Sequence, residues 1–195
     1  MIFGDAVILN NTVARLEPMN EAHRDLLWPL ANDASIWTWN SAKVADRKDW
    51  DTYFSMAMEM KESQKRYPFV IHDIATGRLA GSTSYGSFSI PDNRVEIGWT
   101  WLGRDFWGTG LNRACKSLLL GYAFEEMSML RVELKTDVRN ARSRAAILKL
   151  GATEEGILRS HMSTHNGPRR DTIYYSILAE EWPEIKHILA SSHAK

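Results

Sequence analysis

Two kinds of residue in this chain are placed to do chemistry: carboxylates inside short apolar segments, and glycines at the head of an apolar helix. In Val95-Glu96-Ile97-Gly98-Trp99-Thr100-Trp101 the apolar residues alternate, so a strand puts Glu96 on the opposite face with Gly98 and Thr100. Glu133 likewise opposes Val132 and Leu134. If these strands are neighbours, both carboxylates look into one cleft, and like-charge repulsion makes one of them hold a proton more tightly, as general acid–base work requires. Between them lies Gly103-Arg104-Asp105-Phe106-Trp107-Gly108-Thr109-Gly110-Leu111-Asn112-Arg113. A strand that runs through glycines into a helix start grips phosphate, because unpaired amides and the positive helix end point at the anion while glycine permits close approach. The Gly-Lys-Ser/Thr of a P-loop is missing and the three-glycine dinucleotide fingerprint is incomplete. Arg113, Arg142 and Arg144 are cations that would pair a phosphate or, as helix-face charges, simply face solvent.

Other candidates carry less. Cys115 sits on the apolar stripe of its helix and reads as core. His161 and His165 have the i, i+4 spacing that joins metal ligands on a helix, but they flank a hairpin, so no metal is expected. Tryptophans cluster at Trp28, Trp37, Trp39 and Trp50, and again at Trp99, Trp101 and Trp107; such clusters build cores or wall ligand clefts.

The elements that must hold these residues follow from periodicity. Short strands over 7–9 and 13–16 flank Asn10-Asn11, helices follow over about 20–31 and from an N-cap at Asp46, and strands over 69–74, 79–88 and 94–102 form a meander. The apolar face Leu111, Cys115, Leu118, Leu119, Tyr122 and Met127 marks one long helix, Arg131 to Thr136 a strand, and Arg142 to Leu150 a helix stopped by Gly151. Two further strands flank the polar loop 164–168, and Glu181-Trp182-Pro183 opens a last helix. The strand, crossover helix and strand over 94–136 should be parallel, inside an otherwise antiparallel sheet. With 195 residues, no linker and no repeat, residues 1–195 read as one α/β domain. Lys+Arg and Asp+Glu both number 24, so no global field collects nucleic acid or an anionic membrane, and neither is an expected partner. A single cysteine excludes a disulfide scaffold, and the N-terminus has no signal-like apolar run, which makes the cytoplasm the expected compartment.

The run Val95-Glu96-Ile97-Gly98-Trp99, the Trp107-Gly108-Thr109-Gly110 loop, Tyr122-Ala123-Phe124-Glu125, Arg131-Val132-Glu133-Leu134 and Asn140-Ala141-Arg142-Ser143 through Leu150-Gly151 together resemble the GNAT acetyltransferases. Within them the chain resembles the branch holding the ribosomal-protein N-terminal (RimJ/RimL-like) acetyltransferases, over most of its length, from Val13-Ala14-Arg15-Leu16-Glu17-Pro18 to Glu181-Trp182-Pro183. The resemblance implies a mixed, mostly antiparallel central sheet with helices on both faces, and transfer of acetyl from acetyl-CoA directly to a primary amine, on a protein N-terminus or a small molecule. It allows a homodimer.

It also implies site residues. The family's acyl-CoA signature, Gln/Arg-x-x-Gly-x-Gly/Ala, falls on Trp107, Gly110 and Asn112, two of which depart from it. Cofactor contacts are expected at Trp101, Leu102, Gly108, Thr109, Gly110, Leu111, Asn112, Arg113, Asn140 and Ser143. Glu96 matches the spacing of a general base in the histone-acetyltransferase branch and Glu133 a position used by some N-terminal acetyltransferases; Glu96 ranks first. The tyrosine acid of many members is absent from Ala145-Ala146-Ile147-Leu148-Lys149, leaving Ser143 as its substitute. On the acceptor side stand Trp37 and Trp39, with Arg159, Arg169 and Arg170 favouring a carboxylate or acidic peptide segment. The missing tyrosine and Asn112 motivate a competing reading, a catalytically degenerate acyl-CoA-binding sensor or scaffold.

Overall fold

In the computed structural model, which describes residues 7–164 and 169–191, the chain is organised around one eight-stranded sheet. The strands are β1 (Leu9–Asn10), β2 (Ala14–Pro18), β3 (Arg66–Asp73), β4 (Arg78–Ser89), β5 (Arg94–Leu102), β6 (Arg131–Asp137), β7 (Thr153–Met162) and β8 (Arg170–Leu178). Their order is β1-β2-β3-β4-β5-β6-β8-β7, antiparallel throughout except for β5 beside β6. The helices are α1 (His23–Ala31), α2 (Ala34–Trp37), α3 (Arg47–Glu62), α4 (Leu111–Gly121), α5 (Ala141–Leu148) and α6 (Trp182–Ser191).

Strand alternation divides the core in two. Phe69 and Ile71 of β3, Val95 and Ile97 of β5 and Val132 and Leu134 of β6 point to the side covered by α4, whose Leu111, Cys115 and Leu119 complete that layer. Val70 and Trp101 point the other way, into Leu27 of α1, Trp37 of α2 and Trp50 and Phe54 of α3. Asp46 caps α3 by accepting the Asp49 amide at 2.8 Å, as its position in the sequence foretells.

Three expectations need correction. The long helix from Leu111 ends at Gly121 and widens into a single π turn over Tyr122–Glu126. Residues 34–37, between the two helices that periodicity predicts, form a further helix, α2, because Asp33 accepts the Ser35 amide at 2.9 Å. The meander begins at Arg66, earlier than the apolar run suggests, because the polar Arg66 pairs with Gly86 in the ladder.

Candidate active site

The parallel pairing of β5 with β6 is only three residues long: Arg94 with Arg131, Val95 with Val132, Glu96 with Glu133. Beyond Glu96, β5 keeps its ladder to β4 and β6 keeps its ladder to β8, so a wedge opens between the two strands. At its mouth the chain leaving β5 turns into α4 and the chain leaving β6 turns into α5.

The α4 start suits an anionic ligand. Gly110 lies at φ 88° and Gly108 at φ 77°, left-handed values that favour glycine, and a side chain at either position would meet no atom within 4 Å. The Thr109 hydroxyl accepts the Leu111 amide at 3.4 Å, and the first turn of the helix holds no acidic residue. On the other side of the mouth Asn140 accepts the Ser143 amide at 3.1 Å, capping α5. The Arg142 guanidinium lies 3.5 Å over the Trp107 ring, joining the two helix starts, while the Trp107 indole donates to the Leu102 carbonyl at 2.8 Å. Of the arginines expected to meet a phosphate, Arg113 donates to the Ile188 carbonyl and Arg144 pairs with Glu154, which leaves Arg142 at the mouth with no carboxylate within 4 Å among the described residues. Leu102, Leu111 and Trp101 are buried side chains. Thr109 turns its hydroxyl back to the Phe106 carbonyl at 3.0 Å, and Asn112 stands half-buried in the first turn of α4.

Glu96 and Glu133 are adjacent in the register and share a face, but each has its own counter-ions. Glu96, 3% exposed, accepts Ser87 Oγ at 2.9 Å and pairs with Lys135 Nζ at 2.8 Å. Glu133 divides its oxygens between Arg94 at 2.7 Å and Arg131 at 3.0 Å. The expected mutual repulsion is therefore met by three cations, and of the two carboxylates Glu133 is tied on both oxygens by guanidinium groups. Two glycines make the Glu96 site: a Cβ on Gly98 would stand 2.7 Å from Glu96 Oε1, and one on Gly86 would stand 2.5 Å from the Trp99 ring.

The alternation that assigned Glu96 fails three residues further on, at Trp99. A bulge sets Thr83 of β4 against both Trp99 and Thr100, with Trp99 at φ 50°. Trp99 and Trp101 therefore turn to the Glu96 face, Trp99 lying 5.1 Å from the Arg66 guanidinium, and Thr100 turns to the α4 side. There Thr100 Oγ1 accepts Lys116 Nζ at 2.6 Å, with Thr83 Oγ1 at 3.2 Å. Burial pulls the Lys116 ammonium down to about 8, and burial pushes the Cys115 thiol up to about 12, so Cys115 is no nucleophile.

The two tryptophans expected on the acceptor side separate. Trp37 is 2% exposed, its indole donating to the Ala31 carbonyl at 2.7 Å and its ring packed on Tyr53 and Trp101, so its place is the core and the expectation of a cleft residue is corrected. Trp39 is partly exposed and carries the Arg139 guanidinium 5.3 Å from its ring. Arg159 lies on an exposed strand, Arg169 bends back to Ser160 and Ser163, and Arg170 is buried. His165 lies outside the described residues, and among those described no group of three or more ligating side chains converges on a metal position. Lys135, Ser87 and Arg66 escape a reading by motif. Lys135 was findable as the residue two after Glu133 on the same strand face; Ser87 and Arg66 had no signal before the register was known.

Residues 14–153 match the family described as Acetyltransferase (GNAT) domain. The putative ribosomal N-acetyltransferase YdaF of Bacillus subtilis (strain 168) is 37% identical over 106 residues, 54% of this chain and 57% of that protein, so the match spans little more than half of that relative. A crystal structure of a GCN5-related N-acetyltransferase from Brucella melitensis superposes with a TM-score of 0.88 at 26% identity, covering 96% of this chain and 86% of that one. Mycobacterium smegmatis RimJ, solved in complex with CoA-disulfide, shares the fold with a TM-score of 0.80 at 22% identity, over 96% of this chain and 94% of that one.

Proposed function

Because the chain belongs to the GNAT acetyltransferase family, we propose that it moves an acetyl group from acetyl-CoA to a primary amine, with Glu96 as the base. The observation that carries this reading is the wedge past Glu96, which ends at a helix start open to an anion and begins at a buried, oriented carboxylate. The cofactor when bound supplies an activated acetyl thioester. Amides of Gly108 to Arg113 would hold its diphosphate, Arg142 would lie beside a phosphate at the mouth, and Asn140 would border its arm. The amine must lose a proton on attack, and Glu96 takes it, its Oε2 held by both Ser87 and Lys135. Glu133 serves to position Arg94 and Arg131 beside it. Ser143, at the start of α5, is the hydroxyl we assign to protonating the leaving sulfur.

No helix among the described residues is long and apolar enough to cross a membrane. The test is CoA release from acetyl-CoA with a panel of amines, with products weighed by mass spectrometry. Amine-dependent release with an acetylated product supports the reading. Tight acetyl-CoA binding without release for any amine class overturns it in favour of a binding module.

A further inference from the structure

The Glu96 face of β6 and β8 is charged, and its ions pair off one by one. Glu96 takes Lys135, Glu133 takes Arg94 and Arg131, and Asp137, 1% exposed in its side chain, takes Arg139 at 2.7 Å. Arg170 is left over. It is 7% exposed, its Nε donates to Thr172 Oγ1 at 3.1 Å, and among the described residues no carboxylate lies within 4 Å of its guanidinium. Burial lowers its proton affinity, and the nearby charges of Asp137 and Glu96 only partly offset this. A buried guanidinium whose outer nitrogens lack an anion is an incomplete ion pair, and the missing half has the chemistry of a carboxylate.

Arg170 shares the face that begins at Glu96. Glu96 is level with Glu133 and Ser176, Lys135 with Tyr174 and Asp137 with Thr172, and Arg170 turns its Nε back along the strand to Thr172. The charges of Asp137 and Glu96 both act on its guanidinium. We propose that Arg170 binds a carboxylate of the acceptor, so that the acceptor is an amine that also carries an acidic group. This rests on the acetylation reading above and adds the substrate class to it.

The test compares matched peptides: Ala-Asp against Ala-Asn, both C-terminally amidated, and Ala-Ala as free acid against its amide. In the wild type kcat/KM favours the acid of a pair by about tenfold to a hundredfold. The pair that shows it identifies a side-chain or a terminal carboxylate as the source. Arg170→Gln brings the ratio to about one, Arg170→Lys keeps the charge but not the fork and retains a reduced ratio, and Arg169→Gln keeps the wild-type ratio. A wild-type ratio near one, or an undiminished ratio in Arg170→Lys, overturns the assignment, as does equal weakening of acid and amide in Arg170→Gln. Equilibrium binding of the N-acetylated peptides gives the same comparison without turnover. If no amine is acetylated yet the acetylated acid binds more tightly than its amide and loses that margin in Arg170→Gln, the anion site stands and the acetylation reading falls.

Discussion

Two lysines flank β5 on opposite faces of the sheet, and the protein moves their proton affinities in opposite directions. Lys116, from α4, is buried against Thr83 and Thr100 with only hydroxyls for partners, and desolvation takes it from the ordinary lysine value of 10.5 to about 8. Lys135, from β6, is also desolvated, yet the charge and hydrogen bond of Glu96 outweigh that cost and leave it raised. The difference shows which face is built for charge. On the Glu96 side Lys135 meets a counter-ion within 3 Å; on the α4 side the same residue type is tolerated inside an apolar layer at an energetic cost.

The contrast is broken most strongly at Glu96. Glu96→Gln keeps the size and removes the basicity, so turnover should fall by about 10² or more with acetyl-CoA affinity unchanged in calorimetry. The same change at Glu133, already tied to two arginines, should cost less; a larger loss there would transfer the role of base to Glu133.

Lys135→Met leaves the buried Glu96 carboxylate with Ser87 alone and should destabilise the protein by about 2–4 kcal/mol in denaturant unfolding. Lys116→Met should act with the opposite sign. A fall from 10.5 to about 8 amounts to roughly 3 kcal/mol of unfavourable burial, offset in part by the two hydroxyl contacts, so a gain of about 1–2 kcal/mol is expected at pH 7. Because the folded-state value lies below the unfolded one, the folded protein releases its proton first on the way up. Wild-type stability therefore rises between about pH 8 and 10.5, and the advantage of Lys116→Met should shrink over that window. Equal effects of the two methionine substitutions in melting curves across pH would erase the distinction between the faces.

The smallest effect is expected at Trp39. Its ring holds Arg139 at 5.3 Å at the exposed edge of the charged face, a cation–π contact that solvent weakens. Trp39→Ala should raise the acceptor KM a few-fold and leave that of acetyl-CoA in place. A lowered melting temperature with unaltered acceptor kinetics would return Trp39 to a structural role.

Local pattern was enough to place several candidate residues. Alternation in β5 and β6 placed Glu96 and Glu133 on one face, and the glycines ahead of Leu111 marked a helix start, because each feature depends on neighbours within a few positions of chain. The fold class was equally legible, since apolar stripes with periods of two and 3.6 list the elements in order. What escaped is whatever depends on a partner across the sheet. A single left-handed residue, Trp99, shifts the alternation and exchanges the faces of Thr100 and Trp101. Trp37 and Trp39 are two residues apart, and packing alone buries one among Tyr53 and Trp101 and leaves the other at the edge. Lys135 became the partner of Glu96, and Arg170 was left without one, through a register that joins residues far apart in the chain. Periodicity reports the direction of a side chain relative to its own element; the identity of its counter-ion is decided only when the elements are brought together.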